Sequence, residues 1–330
     1  MIISRTPYRI SFFGGGTDYP DWYLKNGGSV LSSTINKYCY ITAKYSTNLN
    51  ETHHKIIWTH IENVYSFKDI LHPAVREGLQ QLNLDESKGL EIYHSGDLPA
   101  RTGIGSSSSF CVGLINTLSN LVEKPLNKMD LALKAIELEQ DILNEKVGSQ
   151  DQVAASFGGF NKIIFNTNGS IEVKRIDVSD KAIKTLNNNI ALYYTGTRIG
   201  RNSSDVISDM VSNFDSNISL LTELESFVDE GIALLKKSDI TNFGKLLNES
   251  WKIKKSLGKE ISNKQINDIY DIAMNNGAYG GKILGAGGAG FIMFVVPESN
   301  KKTLRSALNR YSEVSFEFEN TGSSIILNSK

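Results

Sequence analysis

Apolar and polar positions along this chain fall into short alternating runs and longer helical stripes that outline its elements. Residues 1–13 are β-rich, with Ile2, Ile3, Ile10, Phe12 and Phe13 around Pro7. Residues 29–35 and 38–45 read as two strands, followed by short strands at 56–58 and 63–67. Residues 69–82 suggest a helix, which Pro73 allows to start but not to pass through. An alternating run at 90–94 reads as a strand, and the apolar-periodic run at 110–122 as a buried helix. Residues 127–144 predict a strong helix: Asn127 can cap it, Asp130 sits in the first turn, and Leu131, Ala135, Leu138 and Ile142 form the apolar stripe. Glu139 flanks that stripe, where it can point into a cleft, whereas Glu137, Asp141 and Glu145 read as solvated. Residues 162–165 and 170–176 pair as a hairpin across Asn166 to Gly169. The polar segment 181–189 reads as a connection between domains, and 190–194 as a strand. Amphipathic helices are expected at 203–237, 240–257 and 263–275, with Gly277 as a C-cap residue. A strand at 291–296, a helix at 304–311 and a last strand at 314–319 complete an α+β chain whose second half packs helices on a small antiparallel sheet.

Composition narrows the class. A length of 330 residues allows two domains, and 40% apolar with 22% charged residues describes an ordinary globular protein. The formal net charge of -1 supplies no basic field for nucleic acid or anionic membrane. No apolar run reaches the roughly 18 residues of a membrane span, and no long apolar region follows Arg5 and Arg9, so a cytoplasmic protein is expected. Cys39 and Cys111 lie in apolar contexts and read as buried and reduced. The five histidines lack a zinc-binding spacing.

The candidate chemistry centres on residues 95–110. Pro99, Gly103, Ile104, Gly105 and the serines Ser106, Ser107, Ser108 and Ser109 lie between the strand at 90–94 and the helix at 110–122. Glycine lets backbone approach a ligand, serine caps helices, and a helix start presents unpaired N–H groups at a positive dipole end. Such a turn is an anion site, above all for phosphate, or else a polar loop with an ordinary cap. It is neither a Walker A loop nor a dinucleotide fingerprint. Gly14, Gly15 and Gly16 precede Thr17 and Asp18, which is a tight turn with an Asp cap or a backbone passing close to a ligand. Asp151 stands twelve positions after Glu139, in a Gly-Ser-Gln-Asp-Gln turn, where an Asp is ordinarily a cap. Arg198 and Arg201 follow the strand at 190–194 as anion-binding candidates or plain surface charges. The dense glycines from 280 to 290 form a flexible turn or a ligand-covering loop.

Three of these segments resemble, in order, the three motifs of the GHMP kinases. Residues 5–18 carry Pro7, Arg9, Thr17 and Asp18 at the places of the first motif, and Tyr19 follows in register. Pro99 to Ser108 is similar to Pro-x-x-x-Gly-Leu-Gly-Ser-Ser-Ala, with Ile104 for Leu and Ser108 for Ala. Gly285 to Gly290 is similar to Gly-Ala-Gly-Gly-Gly-Gly, with Ala289 substituted. The Gly-Gly-Gly-Thr-Asp and Phe-Gly-Gly-Phe-Asn runs resemble the heptose phosphate kinase branch, and the former also fucokinases.

The resemblance implies a two-domain fold, 1–180 and 181–330: a ribosomal protein S5 domain 2-like half, then a ferredoxin-like half, with the site in the cleft between them. It implies ATP and Mg²⁺ as cofactors. Pro99 and Gly103 to Ser108 would bind ATP, and Ser107 and Glu139 the metal. Asp151 would face the acceptor hydroxyl, with Arg9 beside it. Gly15, Gly16, Thr17, Asp18, Arg198, Gly285, Gly287 and Gly288 would contact the substrate. The partners implied are ATP and a sugar phosphate, D-glycero-D-manno-heptose 7-phosphate phosphorylated at C1, with no nucleic acid or membrane and with a homodimer left open. Fucose or another sugar as acceptor, a non-catalytic ATP and sugar sensor, and a diphosphate decarboxylase on the same fold are the alternatives.

Overall fold

The computed structural model describes residues 1–46, 53–197 and 210–329, and in them two sheets organise an α+β architecture. The larger, nine-stranded sheet is built on one long strand, β2 (Gly28–Tyr45). One edge of β2 carries β1 (Ile2–Phe13) antiparallel along most of its length. Its other edge is shared by β6 (Asn161–Phe165), β12 (Phe318–Glu319) and β5 (Leu90–Gly96). β3 (His54–Ile57) runs parallel to β5 and forms a hairpin with β4 (Ile61–Val64), while β7 (Ile171–Arg175) pairs with β6. β13 (Ser324–Asn328) returns to the free edge of β1. The smaller sheet is antiparallel in the order β11 (Ser312–Glu313), β8 (Ile190–Tyr194), β10 (Phe291–Val295), β9 (Gly280–Ile283).

The polar interruption that splits β2 in the sequence is a bulge. Pro7 faces Tyr38 but Tyr8 faces Ile35, so Asn36 and Lys37 are extra residues on one strand. The strand at 314–319 is likewise divided: residues 312–313 pair in the small sheet and 318–319 in the large one. The segment 181–189 is no linker. It is the helix α6 (Asp180–Asn189), capped by Ser179 Oγ accepting from Ala182 N, with Ala182 and Leu186 buried one turn apart. Two further short helices exceed the sequence reading, α1 (Pro20–Asn26) and α5 (Gln150–Phe157). The helix expected from 69 begins at Pro73, as α2 (Pro73–Gln81). Of the helix expected at 203–237, residues 203–209 lie outside the described residues, and α7 spans Ile218–Lys236.

On the large sheet lie α3 (Ser106–Leu121) and α5, and against these two helices packs α4 (Lys128–Ile136), which runs into a π turn at Glu137–Ile142. With the small sheet belong α8 (Ile240–Ser256), α9 (Lys264–Asn275) and α10 (Lys301–Ala307). Among the described residues no helix is long and apolar enough to cross a membrane, and Cys39 and Cys111 are buried free thiols.

The end of β1 is where the two halves meet. Phe12 and Phe13 meet the fully buried Phe243 of α8 edge-on, with centroids 5.4 and 5.2 Å apart. Lys282 of β9 donates to the Phe12 carbonyl at 2.9 Å. Phe243→Ala therefore opens a cavity at the seam, and its unfolding free energy, read by urea titration, is expected to fall by about 3–5 kcal/mol.

Candidate active site

The start of α3 is held open by glycine rather than closed by serine. Its N-cap is Gly105 in the left-handed region (φ 73°), with no side-chain cap bond. Ser106, expected to cap, instead accepts from the Arg101 amide through Oγ at 3.0 Å. The first-turn amides of a 16-residue helix thus face the cleft without a side-chain partner, at the positive end of the dipole. Pro99 is exposed, and its carbonyl accepts from Thr102 Oγ1. Ile104 is fully buried, and its carbonyl takes the Arg9 amide at 3.1 Å.

Against this turn lies the glycine-rich loop. A Cβ on Gly103 would sit 2.3 Å from the Leu284 carbonyl oxygen, and one on Gly285 would sit 2.5 Å from Gly103 Cα. Gly287 and Gly288 are turned away from that contact: Gly288 N donates to the Ile261 carbonyl at 2.9 Å, and Asn263 Nδ2 donates to the Gly288 carbonyl at 2.7 Å.

The first turn of α5 brings the carboxylates in. Three consecutive residues each engage a different charged group. Gln150 Nε2 donates to Asp18 Oδ2 at 2.9 Å. Asp151 accepts both Arg9 Nε (2.6 Å) and Nη2 (2.5 Å), a bidentate pair. Gln152 Nε2 donates to Glu139 Oε2 at 2.6 Å. Arg9 Nη1 goes on to the Gly103 carbonyl at 2.7 Å, which ties the pair to the open helix start. The Arg9 side chain is 4% exposed and that of Asp151 20%, so the carboxylate keeps an open side.

Asp18 is buried and also accepts from Gly16 N at 3.0 Å. Its carboxyl is pushed up from the ordinary range by burial first and by Asp151 second, and the Gly16 and Gln150 bonds oppose this. Gly15 stands beside Ser11 and Gln150. Thr17 is fully buried, and its hydroxyl serves the turn itself, donating to the Gly14 carbonyl at 2.8 Å and accepting from Ser29 N. Arg198 and Arg201 lie outside the described residues.

Two lysines escape the sequence reading. Lys254, half-buried on the last turn of α8, donates to the Gly285 carbonyl at 2.5 Å. Lys282 is buried in β9. The signal for Lys254 is its position, one turn beyond the buried Trp251 and two beyond Leu247, where the apolar stripe would continue. Lys282 lies within a strand that is buried at every position.

Together these groups can cradle phosphate on open amides, set cations beside it and hold a partly exposed carboxylate within reach of an acceptor. Residues 69–159 match the family model described as GHMP kinases N terminal domain, and residues 232–316 the one described as GHMP kinases C terminal. The D-glycero-alpha-D-manno-heptose 7-phosphate kinase of Campylobacter jejuni is 28% identical over 324 residues, covering 94% of this chain and 93% of that one. A crystal structure of a D-glycero-D-manno-heptose 1-phosphate kinase from Bacteroides thetaiotaomicron is 25% identical, with a TM-score of 0.83 and coverage of 100% of both chains. A putative sugar kinase from Campylobacter jejuni is 26% identical, with a TM-score of 0.73 and coverage of 98% of both chains.

Glu139 is fully buried, and its Oε1 accepts from Ser107 Oγ at 2.6 Å. Burial pushes its carboxyl up to about 7, against the lowering effect of the Ser107, Ser108 and Gln152 hydrogen bonds. The folded protein therefore holds a proton that the unfolded chain releases near pH 4.5. Glu139's contribution to stability is full below that pH and falls as pH rises towards about 7. In metal-free buffer, Glu139→Gln is expected to flatten this part of the stability curve; an unchanged slope across the window would deny the shift.

Proposed function

The chain belongs to the GHMP kinases, and from that premise we propose that it transfers the terminal phosphoryl group of ATP to the anomeric C1 hydroxyl of D-glycero-D-manno-heptose 7-phosphate. The observation that carries the reading is the bidentate Arg9–Asp151 pair at the mouth of the open α3 start. In this reading the amides of Ser106, Ser107 and Ser108 hold the nucleotide phosphates, with Gly103 and Gly105 letting them approach. Asp151 takes the hydroxyl proton as the acceptor oxygen bonds to phosphorus and the bond to the leaving phosphate breaks. Arg9 orients Asp151 and stabilises charge on the group in transit.

The residues present fit Mg²⁺. Ser107 Oγ and Glu139 Oε1 are hard oxygen ligands 2.6 Å apart beside the phosphate cradle. Among the described residues no three His, Cys, Asp or Glu side chains gather as a metal cage, so such an ion would share its shell with nucleotide oxygens. When bound it would offset phosphate charge. The Asp18 carboxylate and the backbone at Gly15 and Gly16 would meet sugar hydroxyls, with Thr17 holding the turn in shape. Gly285 would border the site, while Gly287 and Gly288 brace the loop that carries it. We place the division between the halves near residue 180, with residues 318–328 rejoining the first half through β12 and β13.

The acceptor is supported by relatives named as heptose phosphate kinases and by the Gly-Gly-Gly-Thr-Asp and Phe-Gly-Gly-Phe-Asn runs. The test is a panel of heptose 7-phosphate, mannose 6-phosphate, fucose and mevalonate with ATP and Mg²⁺, the product located by phosphorus NMR. Heptose 7-phosphate should turn over fastest and give an anomeric phosphate. Preference for fucose would move the substrate, and ATP binding with no turnover of any acceptor would make the protein a sensor. Asp151→Asn should lower kcat by about 10³-fold with nucleotide binding retained; undiminished turnover would remove Asp151 from the chemistry.

A further inference from the structure

Among the described residues, phosphoryl transfer as read above leaves one cleft cation without a task. Lys254 Nζ reaches from α8 to the Gly285 carbonyl, and Gly285 lies on Gly103, whose carbonyl takes Arg9. Arg9 in turn grips Asp151. One short path thus joins the small-sheet half to the reacting carboxylate, and it begins at an ammonium group. Arg9 is balanced by Asp151, and Asp18 by Gly16 and Gln150, whereas Lys254 donates to a neutral carbonyl. An ammonium carries three donors, so the Gly285 bond leaves capacity for a ligand.

We propose that Lys254 is a catalytic residue whose ammonium group hydrogen-bonds the phosphoryl group in transit, held in place by Gly285 of the glycine-rich loop. The inference rests on the kinase reading above. A transferred phosphoryl group spreads negative charge over its three equatorial oxygens, and a pre-placed cation stabilises that charge more than it stabilises the bound ground state. Arg9 approaches from β1 and Lys254 from α8, so the two cations belong to opposite halves of the molecule. Lys282, in β9, is bonded to the Phe12 carbonyl and braces the seam.

Among the described residues, the charged groups that face Lys254 are Arg9 from β1, Asp18 from the turn that follows, Asp151 from α5 and Lys282 from β9. Burial, then Arg9, brings its ammonium down to about 8, with Asp18 and Asp151 opposing. Lys254 is therefore a cation below that pH, and the charge is lost as pH rises through it.

The experiment measures kcat, and KM for ATP and acceptor, in wild type, Lys254→Met and Lys254→Arg between about pH 7 and pH 9. Lys254→Met should lower kcat by about 10²–10³-fold with little change in either KM. The wild-type alkaline limb near pH 8 should vanish in Lys254→Met and move upward in Lys254→Arg, which keeps a permanent cation and part of the activity. A wild-type kcat in Lys254→Met, a change confined to KM, or an alkaline limb that stays in Lys254→Arg would each overturn the proposal. Loss of all activity in a folded Lys254→Arg would show that a cation at this position does not suffice and would overturn it as well. Should Lys254→Met fail to fold, the pH limb of Lys254→Arg decides. No turnover of any acceptor by wild type would fail the kinase reading itself, a result distinct from active wild type with an indifferent Lys254.

Discussion

The site depends on where the first turn of α5 is placed. Successive residues on an α-helix point about 100° apart, so Gln150, Asp151 and Gln152 can reach three separate directions from one turn. Each finds a charged group supplied by a different element: Asp18 from the turn after β1, Arg9 from β1, and Glu139 from the π segment after α4. The approach is close enough to require glycine. A Cβ on Gly148 would lie 1.9 Å from Asp18 Oδ2, and Ser149 N donates to the Asp18 carbonyl at 2.8 Å. Buried Val153, Ala154 and Ala155 then seat the rest of the helix. Moving α5 would release all three charged groups together.

The carboxyls gathered there are stabilised in different ways. Asp151 meets a guanidinium and keeps an open side. Glu139 is sealed and, among the described residues, receives neutral donors, from Ser107, Ser108 and Gln152. Neutral donors do not offset the cost of burying a charge as a cation does, so the Glu139 carboxyl holds its proton into the neutral range. A carboxylate left in that condition gains most from a cation brought by a ligand. Asp18 lies between these extremes, with two donors but with Asp151 nearby. On the proposed reading, the first turn of α5 thus sets Asp151 to face an acceptor and, through Gln152, holds Glu139 where a metal-bound phosphate would meet it.

Much of this was legible because the motifs are local. The glycine-and-serine turn into α3, the 161–175 hairpin and the glycine-rich loop follow from residues close in sequence, whereas the helix expected over 127–144 is α4 ending at Ile136, and Glu139 stands on the π segment that continues it. The meeting of Arg9 with Asp151, and of Ser107 with Glu139, was expected from family resemblance, since no periodicity links residues so far apart. What stayed hidden was either short or non-local. α1 and α5 are too brief for a clear stripe, and β13 is defined by pairing with β1 at the opposite end of the chain. Lys254 was hidden for another reason: a lysine beside an apolar stripe ordinarily carries its charge out to water along a flexible stem. Only the packing of Gly285 onto Gly103 shows that this one turns inward.

That packing also explains why two glycine-rich stretches, far apart in sequence, occur in one chain. Gly103 and Gly285 meet backbone to backbone, and Gly290 meets Thr102 in the same way: a Cβ there would lie 2.3 Å from the Thr102 carbonyl oxygen. The Phe291 amide donates to that carbonyl at 3.0 Å. A side chain on either surface would part the turn that presents the amides from the loop that holds Lys254. The aromatic seam at Phe12, Phe13 and Phe243 joins the two halves as well. Apolar packing thus sets the distance between the halves, and bare backbone lets that distance be short enough for charges from both to stand in one cleft.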